Sequence, residues 1–238
     1  MVTRDTDADW RELGATEPYW GVLTHPDYKT ANLTPQAIET FYASGVDYMA
    51  GVVETLTRTT GARPGGRALD FGCGTGRLAE AMCAHADHVV GYDISPGMLE
   101  KARARGGATY VDSLPPGPFD WINSFIVFQH IEPDRGLALL EDLLSRLAVG
   151  GHVSLHLTIW RDPRHMAPPP RGWARLLPRG LVERRRLARH PAGIIMMHDY
   201  DLSAVVRLLN RAGVAEMTLI STDHDGHHGV IVLGCKSA

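Results

Sequence analysis

The sequence predicts an α/β fold around a mostly parallel sheet, and three observations carry that expectation. Short apolar runs alternate along the chain with stretches of helical period. The first of these runs, Ala68-Leu69-Asp70-Phe71, ends in a glycine-rich turn, Gly72-Cys73-Gly74-Thr75-Gly76, that leads into a helix. The second, His88-Val89-Val90-Gly91-Tyr92-Asp93, ends in a carboxylate 21 residues beyond Gly72.

Each element has its own signal. The first 33 residues carry Trp10, Tyr19, Trp20 and Tyr28 among the turn formers Pro18, Gly21 and Pro26, a pattern of a loop-rich arm that packs rather than a free tail. A helix should begin at Thr34, with Pro35 in its first turn, and run towards Arg58 on Ile38, Phe41, Tyr42, Val46, Met49, Val52, Val53 and Leu56. Residues 1–60 are thus expected to form an arm and cap helix, and 61–238 the main domain. A linker at 61–66 leads into the first strand, and Leu78 to Ala86 reads as the helix after the glycine turn. Ser95 and Pro96 suit a helix start after the second strand. Thr109-Tyr110-Val111 reads as a short third strand and Phe119 to Ser124 as part of a fourth. Leucines between Glu132 and Leu147 keep helical spacing, and Gly150-Gly151 is expected to end that helix before a strand from Val153 to Ile159. Residues 160–198, with Pro163, Pro168-Pro169-Pro170, Pro178 and Pro191, interrupt the rhythm and read as an inserted lid. A helix over 201–212 and strands over 214–222 and 229–235 complete the pattern.

Composition bounds the possibilities. At 238 residues and 44% hydrophobic, the chain can bury one full core with a small cap. Its opening residues are polar and acidic, and no stretch reaches the roughly 18 apolar residues of a membrane span, so a soluble, cytoplasmic protein is expected. Cys73, Cys83 and Cys235 neither pair into a framework nor sit at metal spacing, so neither disulfide nor structural zinc is expected. The net charge of −3 is unevenly spread: nine arginines and two acids between Arg161 and Arg189 give +7 there and −10 elsewhere. That asymmetry marks either an anionic partner or a solvated flap in a chain whose usual cation is arginine.

The glycine turn narrows the function. A dinucleotide turn needs its third glycine at position 77, where this chain has Arg77. Leu69-Asp70-Phe71-Gly72-Cys73-Gly74-Thr75-Gly76 instead resembles the first motif of the class I S-adenosylmethionine-dependent methyltransferases. The resemblance extends in order through Asp93-Ile94-Ser95-Pro96-Gly97-Met98, through Asp112-Ser113 after the third strand, and through the fourth strand and its turn, residues 119–131. It covers about residues 66–160 well. It implies a Rossmann-like three-layer sandwich with a seven-stranded, mostly parallel sheet of order 3-2-1-4-5-7-6, and S-adenosylmethionine as cofactor. Asp70 would receive a cationic amine, with Gly72, Cys73, Gly74 and Gly76 forming the turn beneath the methionine end; Cys73 reads as packing rather than chemical. Asp93 would hold the ribose hydroxyls, Ile94 and Met98 would flank adenine, and Asp112 and Ser113 would meet its amino group. Ser124 and Phe125 would close the site after the fourth strand.

Methyl transfer to a hydroxyl needs a base, and histidine suits that task near neutral pH. His130 follows the fourth strand, near the sheet's carboxyl edge where open α/β folds place ligands. Small-molecule methyltransferases that resemble this chain, phosphoethanolamine methyltransferases among them, often carry an active histidine there. His198, His224 and His228 stand as reserves. The histidines and acids of residues 223–228 have the composition of a hairpin turn, and no metal is assigned to them. Absent motifs exclude rivals. After the fourth strand Asn123-Ser124-Phe125-Ile126 replaces the Pro-Pro turn of DNA amino-methylating enzymes, and no cysteine follows a proline as cytosine C5 chemistry requires. A small-molecule O- or N-methyltransferase is expected, its acceptor free, anionic or carrier-bound, with a homodimer compatible and nucleic acid disfavoured as partner. The alternatives are an RNA or peptide methyltransferase using the arginine-rich segment and a non-catalytic cofactor-binding protein.

Overall fold

The computed structural model describes residues 5–166, 193 and 195–237. Its elements are helices α1 (Thr6–Thr16), α2 (Pro18–Val22) and α3 (Pro35–Thr60), followed by β1 (Arg67–Phe71), α4 (Arg77–Met82), β2 (His88–Tyr92), α5 (Pro96–Arg105) and β3 (Thr109–Val111). Then come β4 (Phe119–Ser124), α6 (Pro133–Ser145), β5 (Leu147–Arg161), α7 (Leu202–Arg211), β6 (Met217–Asp223) and β7 (His227–Cys235). One sheet takes the order β3-β2-β1-β4-β5-β7-β6. Strands β1 to β5 run parallel, whereas β7 is antiparallel to both β5 and β6. This is the sandwich and strand order expected from the sequence.

Two apolar layers hold the sheet. Met49, Val53 and Leu56 of α3 join Met82 of α4, Leu99 of α5 and Trp121 of β4 on one face. On the other, Leu140, Leu143 and Leu144 of α6 and Val205 and Leu209 of α7 pack against Ile122, Val153 and Leu155. Helix α3 starts as its sequence asks, with Thr34 Oγ1 accepting from the Ala37 N–H and Gly61 closing the C-terminus in the left-handed region.

Several boundaries differ from expectation. The arm is helical rather than loop-rich: Asp5 caps α1 by accepting from the N–H groups of Asp7 and Ala8, and Pro18 occupies the first turn of α2, where a missing N–H costs nothing. Helix α4 ends at Met82, not Ala86. Gly150-Gly151 do not separate helix from strand; α6 stops at Ser145, and both glycines lie inside β5, where Gly150 N–H donates to the Lys236 carbonyl and Gly151 accepts from Lys236. Pairing with the C-terminal residues therefore extends the strand backwards. Most of the lid expected over 160–198 lies outside the described residues; at its borders Trp160 and Arg161 belong to β5, and residues 195–200 have no regular structure. Of the described helices, none is long and apolar enough to cross a membrane.

Strand β5 carries a buried polar row on its α3 side. His152 reaches Thr60, Ser154 meets Trp121 and Asn123, His156 meets Thr222, and Thr158 donates to Gln129. Each of these side chains thus finds a partner, while His156 Nδ1 is buried with none among the described residues.

Candidate functional site

A cavity opens at the carboxyl ends of β1, β2 and β4, roofed by the arm. Asp70, Gly72, Cys73, Gly74, Asp93, Ile94, Met98, Phe125 and His130 all line it. The turn below is cut for glycine: Gly72, Gly74 and Gly76 have φ of 74°, 55° and 85°, a region that side chains rarely enter. A Cβ on Gly74 would stand 2.7 Å from Val22 of the arm. Gly76 lies behind the cavity wall at the start of α4.

Asp93 is anchored by the backbone. Its Oδ2 accepts from the Gly74 N–H at 2.9 Å and its Oδ1 from the Ser95 N–H at 2.8 Å, so strand end, glycine turn and α5 start share one carboxylate. Burial raises its pKa, against the pull of backbone donors at Ser95, Gly74 and Ile94. Each carboxylate oxygen keeps acceptor capacity for a further hydroxyl.

Asp70 is held differently. Its Oδ1 accepts from Asn123 Nδ2 at 2.8 Å, while its Oδ2 is buried without a partner among the described residues. Burial pushes its carboxyl up to about 6, a rise moderated by the Asn123 hydrogen bond and the Arg77 charge. A buried carboxylate at the cavity, one of whose oxygens makes no full hydrogen bond among the described residues although the Ala79 N–H acts on the group, suits a cationic amine.

His130 lines the same cavity from the one-turn helix Phe128–His130. Its Nδ1 donates to the Met196 carbonyl at 2.8 Å, which leaves Nε2 as the acceptor, 3.3 Å from Gln129 Nε2. Burial lowers its pKa to about 4, so the ring is neutral at pH 7. Trp10 of α1 packs on it with ring centroids 4.8 Å apart.

The remaining expected residues stay off the cavity wall. Asp112 and Ser113 are exposed after β3. Ser124 is buried at the end of β4 with its Oγ unpartnered among the described residues. His198 is tied to the Gln129 carbonyl through its backbone N–H. His224 packs against Phe125 and His156, and His228 stacks on Trp160 at 3.7 Å with Nε2 3.1 Å from Asp162. Among the described residues no group of three or more His, Cys, Asp or Glu is placed to hold a metal ion.

Sequence reasoning missed part of the wall. Thr6, Asp7 and Trp10 arrive from α1, Gly21 and Val22 from α2, and Arg135 from α6, which Asp7 grips through a pair of hydrogen bonds at 2.7 and 2.8 Å. Only the aromatic residues of the arm hinted at this roof. Ile126 also lines the cavity at φ 58°, a strained conformation for a β-branched residue. Arg77, the residue that spoils the dinucleotide pattern, is a buried cation in the wall.

Comparison with known proteins places this architecture. Residues 68–151 match the methyltransferase domain family. A ubiquinone biosynthesis O-methyltransferase of Xanthomonas campestris is 33% identical over 150 residues, 57% of this chain and 58% of that protein. A ribosomal protein L11 methyltransferase of Burkholderia vietnamiensis is 32% identical over 123 residues, 48% of this chain and 39% of that protein. The chain therefore spans under two thirds of the length of these relatives. Among solved structures, magnesium protoporphyrin IX methyltransferase of Synechocystis with bound S-adenosylhomocysteine superposes with a TM-score of 0.62 at 17% identity, covering 95% of this chain and 98% of that one. An amino pentose methyltransferase from Micromonospora echinaspora with bound S-adenosylmethionine gives 0.57 at 19% identity, covering 87% and 99%. The fold is that of these solved S-adenosylmethionine-dependent methyltransferases, and residues 68–151 match the methyltransferase domain family.

Proposed function

We propose that this protein transfers a methyl group from S-adenosylmethionine to a hydroxyl or amine of a small molecule. The observation that carries this reading is the pairing of Asp70 and Asp93 in one cavity, Asp70 with a buried oxygen unpartnered among the described residues, for an amine, and Asp93 with backbone-fixed oxygens for vicinal hydroxyls. When bound, the cofactor supplies an electrophilic sulfonium methyl. The chain's own residues bind, orient and exclude water: the glycine turn lets backbone approach the ligand, Ile94 and Met98 offer apolar surface, and the arm covers the whole. Positioning a nucleophile in such a site is worth up to about 7 to 11 kcal/mol in favourable cases. His130, neutral and with an unprotonated Nε2 that a hydroxyl would take over from the Gln129 amide, is the group to take a proton from a hydroxyl acceptor. His224 and His228, held by their ring contacts, and His198, which does not line the cavity, are given no part in the reaction.

The relatives named for ubiquinone biosynthesis and for an amino pentose favour a small acceptor. Isothermal titration with S-adenosylhomocysteine tests the cofactor. Asp93→Ala should weaken binding by about 1 to 3 kcal/mol through lost hydrogen bonds; parental affinity in that variant would defeat the assignment. Mass spectrometry of products formed from cell extract with labelled S-adenosylmethionine then identifies the acceptor.

A further inference from the structure

Gln129, directly before His130, is 6% exposed with both ends of its amide engaged. Thr158 Oγ1 on β5 donates to its Oε1 at 2.6 Å, and its Nε2 lies 3.3 Å from His130 Nε2 and 3.6 Å from Met197 Sδ. One carbonyl sets the direction of this network. The Met196 carbonyl accepts from His130 Nδ1, so the neutral ring keeps its lone pair on Nε2, and the group that Gln129 turns towards it is the NH2. The amide oxygen is left for the Thr158 hydroxyl, which is itself 1% exposed. Gln129 is thus a buried donor tied at its oxygen end.

That donor restricts what can reach the ring. A group that hydrogen-bonds to His130 Nε2 must come to the lone pair that Gln129 now covers. Nitrogens 3.3 Å apart can both lie within hydrogen-bonding distance of one inserted atom. The inserted atom meets an acceptor on His130 and a donor on Gln129, so it must donate and accept at once. A hydroxyl oxygen does both and keeps a second lone pair for attack. A neutral amine has a single lone pair. If it accepts from Gln129 it has none left for the methyl, and if it attacks while donating to His130, the Gln129 N–H loses its acceptor. A carboxylate brings no proton for Nε2.

We propose that Gln129 selects an oxygen nucleophile: its amide N–H donates to the oxygen of the acceptor's hydroxyl while that hydroxyl donates to His130, which makes the substrate a hydroxyl compound rather than an amine. This rests on the methyl-transfer reading above and on His130 as its base. In the step itself the O–H bond breaks and its proton passes to His130 Nε2. An oxygen lone pair forms the bond to the methyl carbon, and the electrons of the carbon–sulfur bond stay on sulfur. The Gln129 N–H points at the atom where negative charge gathers, the placement that stabilises a transition state most.

The product and two variants decide the matter. Product formed from cell extract and S-adenosylmethionine with an isotopically labelled methyl carbon should carry that methyl on oxygen, read from its carbon chemical shift. Gln129→Glu keeps the side chain's shape and an oxygen for Thr158 but has no N–H to donate. On the acceptor so identified its kcat/KM should fall about tenfold to a hundredfold, as loss of a buried hydrogen bond does, with S-adenosylhomocysteine affinity unchanged by titration calorimetry. The new carboxylate also favours a protonated His130, so the rate is followed up to about pH 9, where the ring is neutral again and the loss should persist. Gln129→Leu, which brings no charge, should lose as much at neutral pH. A methyl on nitrogen, parental kcat/KM in either variant, recovery of Gln129→Glu at high pH, or weakened S-adenosylhomocysteine would each overturn the proposal. A methyl on nitrogen leaves the methyl-transfer reading standing, whereas a parent that forms no labelled product sinks that reading and the proposal with it.

Discussion

Asn123 decides what Asp70 can do. The Trp121 indole N–H donates to Ser154 Oγ at 3.0 Å, Ser154 donates to Asn123 Oδ1 at 2.6 Å, and the Asn123 amide donates to Asp70 Oδ1. Trp121 and Ser154 commit their single donors and Asn123 one of its two, so Asp70 is presented with one fixed oxygen and one without a hydrogen bond among the described residues. Affinity for S-adenosylhomocysteine should fall as pH drops through about 6, where Asp70 takes up a proton and ceases to attract an ammonium. Asn123→Leu should move that loss to higher pH, since the hydrogen bond that opposes burial is gone; titration calorimetry between pH 5 and pH 8 gives the readout, and an unmoved profile would assign Asn123 a packing role. At His130 the expectation concerns rate: His130→Ala should lower kcat on a hydroxyl acceptor by about 10² to 10⁴-fold with cofactor affinity nearly unchanged. Stopped assays on the identified acceptor check it, and a small effect would indicate an amine acceptor that needs no base. At this scale the glycines, Asp70, Asp93 and His130 could be read in the sequence because their chemistry is tied to strand ends and turns. Arg77 and Trp10 could not: burial without a counter-charge, and contact across more than a hundred residues, exist only once the chain has folded.

At the scale of elements, the arm depends on two glycines. A Cβ on Gly14 would collide with Ser95 Oγ, and one on Gly97 would collide with the Gly14 carbonyl, so α1 and α5 touch backbone against backbone. Gly14→Val should therefore lift α1 from α5, open the roof carried by Thr6, Asp7 and Trp10, and weaken S-adenosylhomocysteine while leaving the melting temperature of the core nearly unchanged. Hydrogen exchange over residues 6–16 should rise in the variant; unchanged protection there would show that α1 tolerates the intrusion. The helical period of α3 and α6 was legible because their apolar stripes are long and regular. In the arm the proline and glycine signals outweighed a short helix whose stability comes from docking rather than propensity. In β5 the Gly150-Gly151 pair suggested a stop, whereas pairing with the C-terminal residues makes the glycines part of a strand.

For the whole molecule, acid is the natural probe. His130 and His156 are both buried and neutral, with burial lowering their pKa to about 4 and about 3. The unfolded chain binds protons on these rings near the ordinary histidine value while the folded chain does not, so stability is full above about pH 6.5 and is lost as pH falls towards 4. Melting temperature should decline over that window, and His156→Gln should flatten the decline; a parent melting temperature constant from pH 7 to pH 4 would contradict the burial of both rings. The strand order was legible from the resemblance of successive motifs, while the roof of the cavity was not, because nothing in local sequence says which distant helix will cover a sheet edge. The Trp10–His130 contact also makes the site optically visible. A protonated imidazole quenches an adjacent indole, so the part of the emission removed by Trp10→Phe should dim on acidification with the midpoint of His130 and shift when a ligand enters between the arm and the glycine turn. The protein thus carries its own light signal for the charge state of His130, the residue proposed above as the base.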